Sequence, residues 1–123
     1  MKILVVDYPN AERQRTLEAL AALGYEDVAV ARDAPEAFAV LAGGGVGIIL
    51  TEYHLRMMPG LVFVLNVRRQ FPAIPILLVT NQTLATIFDA ALDAGVNDTL
   101  RKPFSTADLE RKIEGLLAKL PGA

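Results

Sequence analysis

The 123-residue sequence has no cysteine, a single histidine and no excess of basic residues. Without cysteine, disulfides, thiol nucleophiles and cysteine-ligated zinc sites are excluded, and one histidine is too few for a histidine-rich metal site. Twelve Lys and Arg against 14 Asp and Glu give a net charge of −2. This balance argues against direct nucleic-acid binding, which needs basic groups to neutralise phosphates.

Long apolar runs are also missing, so no segment of the sequence is predicted to span a bilayer. The apolar stretch after Met1 and Lys2 is too short for a signal peptide. Hydrophobic residues nevertheless make up 53% of the chain, which is enough for one buried core. We therefore expect a cytoplasmic domain over residues 1–120, without membrane contact, and a short tail at 121–123.

Apolar runs alternate with amphipathic segments along the chain. Runs at 3–6, 48–50 and 76–79 are typical of strands buried on both faces, and the more polar runs at 28–30 and 96–100 suit sheet edges. Helices are predicted between and after them, over 9–23, from a cap at Asp33, over 61–70, over 83–93 and from a cap at Ser105. This alternation predicts an α/β fold whose parallel five-stranded sheet has helices on both faces.

Polar residues follow four of the predicted strands. They are Asp7-Tyr8, Thr51-Glu52, Thr80-Asn81 and Arg101-Lys102. Open α/β sheets bind ligands at the carboxyl ends of their strands. If the central strands are the first, third and fourth, two carboxylates, a hydroxyl and an ammonium meet at one edge of the sheet.

These residues and their neighbours resemble the receiver domain of two-component response regulators. The resemblance spans nearly the whole chain, and Gly60 matches the glycine that opens the third helix of the family. It implies a flavodoxin-like fold with strand order 2-1-3-4-5, and counting back eight residues from Gly60 puts the phosphoacceptor position at Glu52. It is carried by four segments: ILVVD at 3–7, PILLVT at 75–80, AGVND at 94–98 and LRKPF at 100–104.

The sequence also departs from the receiver pattern. Asp7, Thr80 and Lys102 are kept, but five expected residue types are replaced. The departures are Tyr8 for a second acid, Glu52 for the phosphoacceptor Asp, Arg56 for Pro, Pro59 for an acid and Thr99 for an aromatic switch residue.

The departures weaken the expected metal site. By the resemblance, a metal ion would be held by Asp7, by Glu52 and by the backbone carbonyl of His54. Tyr8 offers a phenol with an ordinary pKa of about 10, which is a poor magnesium ligand in place of a carboxylate. Glu52 is longer than Asp by one carbon–carbon bond, about 1.5 Å, which displaces the attacking oxygen. We therefore expect no cofactor, with magnesium binding weak or absent.

The remaining charges point to a degenerate, or pseudo-receiver, domain. Asp7 and Glu52 with Lys102 sum to −1, so Lys102 can pair a carboxylate without a metal. The Glu52 carboxylate can also partly imitate a phosphoryl group, and Thr80 and Lys102 could then bind it. Whether Glu52 holds the domain permanently on, or in one undefined state, stays open in the sequence.

Three functions follow from this pattern. The first is a signalling module, not an enzyme, that binds a sensor kinase, an output domain or another signalling protein without phosphorylation. The second is an active receiver, modified by a histidine kinase at a non-standard site. The third is a haloacid-dehalogenase-type phosphatase. Such an enzyme needs a second Asp two residues after the position of Asp7, where this chain has Pro9.

Two helices offer surfaces for such contacts. The third predicted helix is apolar nearly all round, and Val62, Val64 and Val67 cannot all face the sheet because a helix turns about 100° per residue. The fourth is expected to pack through Leu84, Ile87, Phe88, Ala91 and Leu92 and to present a smooth outer face. A homodimer through one of these faces is a further expectation.

Overall fold

The computed structural model describes residues 1–120, so the predicted tail at 121–123 lies outside the described residues. Ten elements alternate along this part of the chain. They are β1 Lys2–Val6, α1 Ala11–Ala22, β2 Val28–Ala31, α2 Ala34–Ala42, β3 Val46–Thr51, α3 Gly60–Gln70, β4 Ile76–Thr80, α4 Ala85–Ala94, β5 Asp98–Arg101 and α5 Thr106–Ala118.

The five strands form one sheet in the order β2-β1-β3-β4-β5, and every neighbouring pair is parallel. The predicted fold class and strand order are therefore confirmed. The sheet separates two apolar clusters, one facing α2, α3 and α4 and the other facing α1 and α5. Side chains alternate between the two clusters along β1, since successive residues of a strand point to opposite faces.

Three helices begin at side-chain caps. Asn10 accepts from the backbone N–H of Arg13 at 2.8 Å, so α1 begins at Ala11 rather than at the predicted residue 9. Asp33 caps α2 as predicted. Ser105 and Asp108 form a reciprocal capping box at the start of α5.

The predicted packing of α4 was partly wrong. The helix begins at Ala85, two residues later than expected, because Leu84 has an extended backbone and is 61% exposed. Ala91 is the buried centre of the inner face, with Ile87 and Phe88 partly buried beside it. Leu92 follows Ala91 by about 100° of helical rotation and is exposed, so neither Leu84 nor Leu92 belongs to the inner face.

Helix α3 divides its apolar residues between core and surface. Phe63, Val64 and Val67 are fully buried, whereas Val62 and Leu65 are exposed. The prediction that the three valines cannot all face inward is thus confirmed, with Val62 on the outside. Within residues 1–120, every helix is too short or too polar to cross a bilayer.

Arg68 connects the C-terminal end of α3 to the loop before β4 and the loop before β5. Its guanidinium donates to the backbone carbonyls of Gly95 at 2.8 Å and Ile74 at 2.5 Å, and to the side chain of Asn97. The same Asn97 oxygen accepts from the backbone N–H of Ile76 at 2.8 Å. Partial burial lowers the pKa of Arg68 from its usual value, and the carbonyl acceptors keep its donors bonded.

Candidate functional site

The polar residues predicted to converge lie at the carboxyl edge of the sheet. Asp7 and Glu52 follow β1 and β3, Thr80 ends β4, and Lys102 follows β5. The strand register aligns them, because Val6 is paired with Thr51 and Thr80 with Arg101. All four side chains are buried, with residue exposures between 0% and 8%.

Lys102 connects the two buried carboxylates. Its Nζ donates to Asp7 Oδ2 at 2.8 Å and to Glu52 Oε2 at 3.0 Å, and its side chain is 4% exposed. The backbone N–H of Lys102 donates to the carbonyl of Thr80 at 2.8 Å, which fixes the start of this side chain against β4. A single ammonium group therefore pairs both acids in a site shielded from water.

Backbone donors occupy the other oxygen of each carboxylate. Asp7 Oδ1 accepts from the N–H of Tyr8 at 2.8 Å, and Glu52 Oε1 accepts from the N–H of Tyr53 at 2.7 Å. In the part of the chain that the structure describes, no buried side-chain nitrogen or oxygen lacks a hydrogen-bond partner. The acids are therefore satisfied by the chain itself, as burial of charge requires.

The pKa values of Asp7 and Lys102 are both raised, for different physical reasons. Burial raises the pKa of Asp7 above 3.8 and the charge of Glu52 adds to that effect, while the hydrogen bond from Lys102 opposes it. Burial alone would lower the pKa of Lys102. The hydrogen bond to Asp7 and the charges of Glu52 and Asp7 outweigh burial, so the pKa of Lys102 is raised.

Thr80 and Thr99, at the position of the switch residue, are not connected to each other by a hydrogen bond. Thr80 Oγ1 accepts from the backbone N–H of Gln82 at 3.3 Å. Thr99 lies on β5 opposite Leu78, and its backbone N–H donates to Asp98 Oδ1 at 2.8 Å. Among the hydrogen bonds of residues 1–120 none joins the two threonines, so the structure brings Thr80 to the site edge but does not link Thr99 to it.

His54 is exposed and faces neighbouring loops. Its Nε2 is 2.7 Å from Nε2 of Gln82, and its ring meets the edge of the Tyr53 ring with centroids 4.9 Å apart. These contacts join the loop after β3 to the loop after β4. The side chain of His54 thus contacts Gln82 and Tyr53, and no hydrogen bond of the described chain joins it to the two carboxylates.

The sequence analysis missed a contact between Tyr8 and Arg56. The guanidinium carbon of Arg56 lies 3.8 Å from the centroid of the Tyr8 ring, a cation–π distance, and Tyr8 is 39% exposed. The backbone of Arg56 forms a parallel bridge with Asp33, just after β2. The available signal was that positions 8 and 56 both depart from the receiver pattern, since paired departures suggest contact.

A family model described as the response regulator receiver domain matches residues 3–114. The chain belongs to this receiver family. The match covers the eight elements from α1 to β5 in full, β1 except Lys2, and most of α5. It decides between the receiver and haloacid-dehalogenase interpretations in favour of the receiver.

Individual receivers are similar over nearly their whole length. Chemotaxis protein CheY1 of Helicobacter pylori is 37% identical over 120 residues, covering 95% of this chain and 97% of the relative. The crystal structure of a putative response regulator from Chloroflexus aurantiacus superposes with a TM-score of 0.89 at 27% identity, covering 96% and 98% of the two chains. The receiver domain of the sensor histidine kinase PA1611 from Pseudomonas aeruginosa, solved with magnesium in its active site cleft, has a TM-score of 0.87 at 27% identity, covering 96% and 98%.

The donor set of this receiver does not suit magnesium. The ion prefers a near-octahedral shell of oxygens at about 2.0–2.1 Å, with carboxylates among its protein ligands. Here Tyr8 supplies no carboxylate, and both acids already share Lys102. Within residues 1–120, no three acidic or histidine side chains converge as a metal site would require.

Proposed function

We propose that this receiver domain signals through contacts with protein partners, without phosphorylation at the standard position and without enzymatic activity of its own. The observation that carries the proposal is the paired contact of Lys102 with Asp7 and Glu52 at 2.8 and 3.0 Å. A buried ammonium held by two carboxylates stabilises the closed edge of the sheet without a metal ion.

The position of the Glu52 carboxylate supports this proposal. In the receiver reaction a carboxylate oxygen attacks phosphorus, the bond from phosphorus to the donor's leaving group breaks, and cations hold the developing charge. Both Glu52 oxygens already accept hydrogen bonds, one from Tyr53 and one from Lys102. The longer side chain also displaces the carboxylate by about 1.5 Å relative to Asp, which is a large error for an in-line attack.

A small phosphodonor tests the proposal directly. Incubation with acetyl phosphate or phosphoramidate and magnesium, followed by intact-mass spectrometry, should give no phosphorylated species. The Glu52→Gln variant is the matched control, since it keeps the length of the side chain and removes its charge. A magnesium-dependent gain of one phosphoryl group in the parent, lost in Glu52→Gln, would contradict the proposal.

The same experiment tests the second candidate, a receiver still phosphorylated by a histidine kinase. The observation in its favour is that Asp7, Thr80 and Lys102 keep their places at the carboxyl edge. The magnesium bound by the related Pseudomonas receiver shows that this cleft can hold the ion in another family member. Incubation with a phosphorylated kinase domain in place of acetyl phosphate extends the test to the physiological class of donor.

The partners we propose are a sensor kinase, an output domain or another signalling protein in the cytoplasm, together with a second copy of this chain. Direct contacts with nucleic acid or membranes are not part of the proposal, since the net charge is −2. Val62 and Leu65 on α3 expose apolar surface for a protein partner. The Glu52 carboxylate, paired with Lys102, also supports one constant signalling state, and the stronger claim that this state imitates the phosphorylated one stays open.

A further inference from the structure

The stacked pair of Tyr8 and Arg56 adjoins the buried acids through the backbone of Tyr8. The N–H of Tyr8 donates to Asp7 Oδ1 at 2.8 Å, and the Tyr8 ring carries the Arg56 guanidinium at 3.8 Å. The backbone bridge between Arg56 and Asp33 holds the arginine above the ends of β1 and β2. The backbone bridge therefore positions the residue, and the Tyr8 ring positions its exposed guanidinium.

The charge of Arg56 changes the balance of the site. Asp7, Glu52 and Lys102 sum to −1, and the guanidinium, which stays protonated at all physiological pH values, adds one positive charge on the Tyr8 ring. A divalent cation that approaches this edge from the side of Tyr8 meets that charge in addition to Lys102. The added charge reduces the attraction that offsets the cost of removing water ligands from magnesium.

We infer that Arg56, held on the Tyr8 ring, supplies the second cation of this site, and that the pair as a unit keeps magnesium out. The inference rests on the proposed metal-independent function, but it concerns ion binding and not partner contacts. Arg56 is thereby the residue that controls magnesium binding at this site. The absence of a carboxylate at position 8 does not exclude the ion by itself.

Restoring an acid at position 8 should not by itself restore magnesium binding. An aspartate at position 8 would place its carboxyl carbon where the first ring atom of Tyr8 now lies, and the guanidinium of Arg56, already 3.8 Å from the ring centroid, needs only a small movement to reach it. The carboxylate would then pair with Arg56 and not serve as a metal ligand. Tyr8→Asp alone should leave magnesium binding weak, and only Tyr8→Asp combined with Arg56→Ala should produce a site.

Magnesium titrations followed by NMR shifts of the Asp7 and Glu52 amides test this. The set comprises the parent, Tyr8→Asp, Arg56→Ala and Tyr8→Asp/Arg56→Ala. We expect saturable binding in the double variant, with a Kd at least tenfold lower than in Tyr8→Asp. Tyr8→Asp/Arg69→Ala is the matched control, since Arg69 is an exposed arginine on α3, and it should behave like Tyr8→Asp. Tyr8→Asp/Arg56→Lys, which keeps the charge, should also bind weakly.

Two results would overturn the inference: equal affinity for magnesium in Tyr8→Asp and the double variant, or no binding in the double variant. Far-ultraviolet circular dichroism reports folding of each protein, and Tyr8→Asp/Arg56→Gln replaces the double variant if alanine prevents folding. The proposed function fails separately, if the parent protein accepts a phosphoryl group, whatever the variants do with magnesium.

Discussion

Lys102 is the buried residue on which the carboxyl edge of the sheet depends. Two carboxylates with residue exposures of 6% and 8% face one ammonium group, whose side chain is 4% exposed. Removing one partner from a buried charge pair leaves the other charge uncompensated, which costs about 3–5 kcal/mol. The stability of this edge is therefore concentrated in one side chain.

Replacement of Lys102 by Met should lower the free energy of unfolding by about 3–5 kcal/mol at pH 7. Met fills a similar volume, so the loss reports charge and not a cavity. Urea unfolding followed by circular dichroism measures it. Lys119→Met, at an exposed lysine just after α5, should change stability by less than about 0.5 kcal/mol. Equal effects of the two substitutions would contradict the assigned role of Lys102.

Asp7 should make the stability of the protein depend on pH in the direction opposite to that of an acid whose pKa is lowered by folding. Its pKa is raised in the folded state above 3.8, so between 3.8 and the raised value the folded protein binds more protons than the unfolded chain. The stability linked to that protonation is full below pH 3.8 and lost as pH rises through the folded pKa. Asp7→Asn removes the effect, so this variant should gain stability relative to the parent as pH rises.

Asp108 provides a control of opposite sign. Hydrogen bonds from Ser105 and Arg111 lower its pKa, so its contribution is present above pH 3.8 and is lost as pH falls through the folded pKa. Asp108→Asn should therefore lose stability relative to the parent as pH rises. Urea unfolding of the three proteins between pH 3.5 and 7, a range chosen around the ordinary carboxyl pKa of about 3.9, measures both trends. The same trend in both variants would refute the assignment for Asp7.

At the scale of elements, Arg68 joins α3 to the strands around it more specifically than apolar packing does. Its donors reach carbonyls in the loops before β4 and before β5, and its stem lies so close to Gly95 that a Cβ there would collide with it. Gly95 also has φ +123°, a conformation that side chains disfavour. The glycine that ends α4 and the arginine of α3 are therefore matched by both contact and backbone geometry.

Arg68→Lys should destabilise the protein by about 1.5–3 kcal/mol, the cost of losing hydrogen bonds made by a charged group. A single ammonium cannot reproduce the fork that reaches Gly95, Ile74 and Asn97. Arg69→Lys, at the exposed neighbour, should be neutral to within about 0.5 kcal/mol. Thermal and urea unfolding compare the two, and a neutral Arg68→Lys would mean that the network contributes little.

At the scale of the whole molecule, four exposed apolar residues lie on one side of the sheet, on α3, on α4 and just before α4. Val62 and Leu65 expose 41% and 50% of their surface, and Leu84 and Leu92 expose 61% and 49%. Covering apolar surface is favourable by about 25 cal/mol per Å². So few side chains can support only a modest self-association or a transient contact with a partner.

We expect weak, concentration-dependent self-association that Val62→Lys/Leu65→Glu abolishes. Val67 is not a suitable target, because it is fully buried and a charge there would unfold the core. Ala90→Arg on α4 is the matched comparison for the other face. Sedimentation velocity over a range of concentrations measures the association. A parent that stays monomeric at every concentration would contradict this expectation and leave these residues as tolerated surface.

The alternation of strands and helices could be predicted from the sequence alone, as could the convergence of four polar residues, Asp7, Glu52, Thr80 and Lys102. Both follow from local rules: hydrophobic period defines each element, and parallel strands bring their carboxyl ends to one edge. The resemblance to receivers added the strand order, which the structure confirms.

The contacts between individual side chains could not be predicted in this way, because they depend on how the elements pack. That Lys102 binds both acids, that Arg56 lies on Tyr8, and that Val62 rather than Val67 faces outward depend on packing between residues far apart in the chain. Helical periodicity tells which residues share a face but not which face the sheet covers. A side chain's reach and rotamer are likewise chosen by its neighbours in space, and these neighbours exist only once the elements have packed.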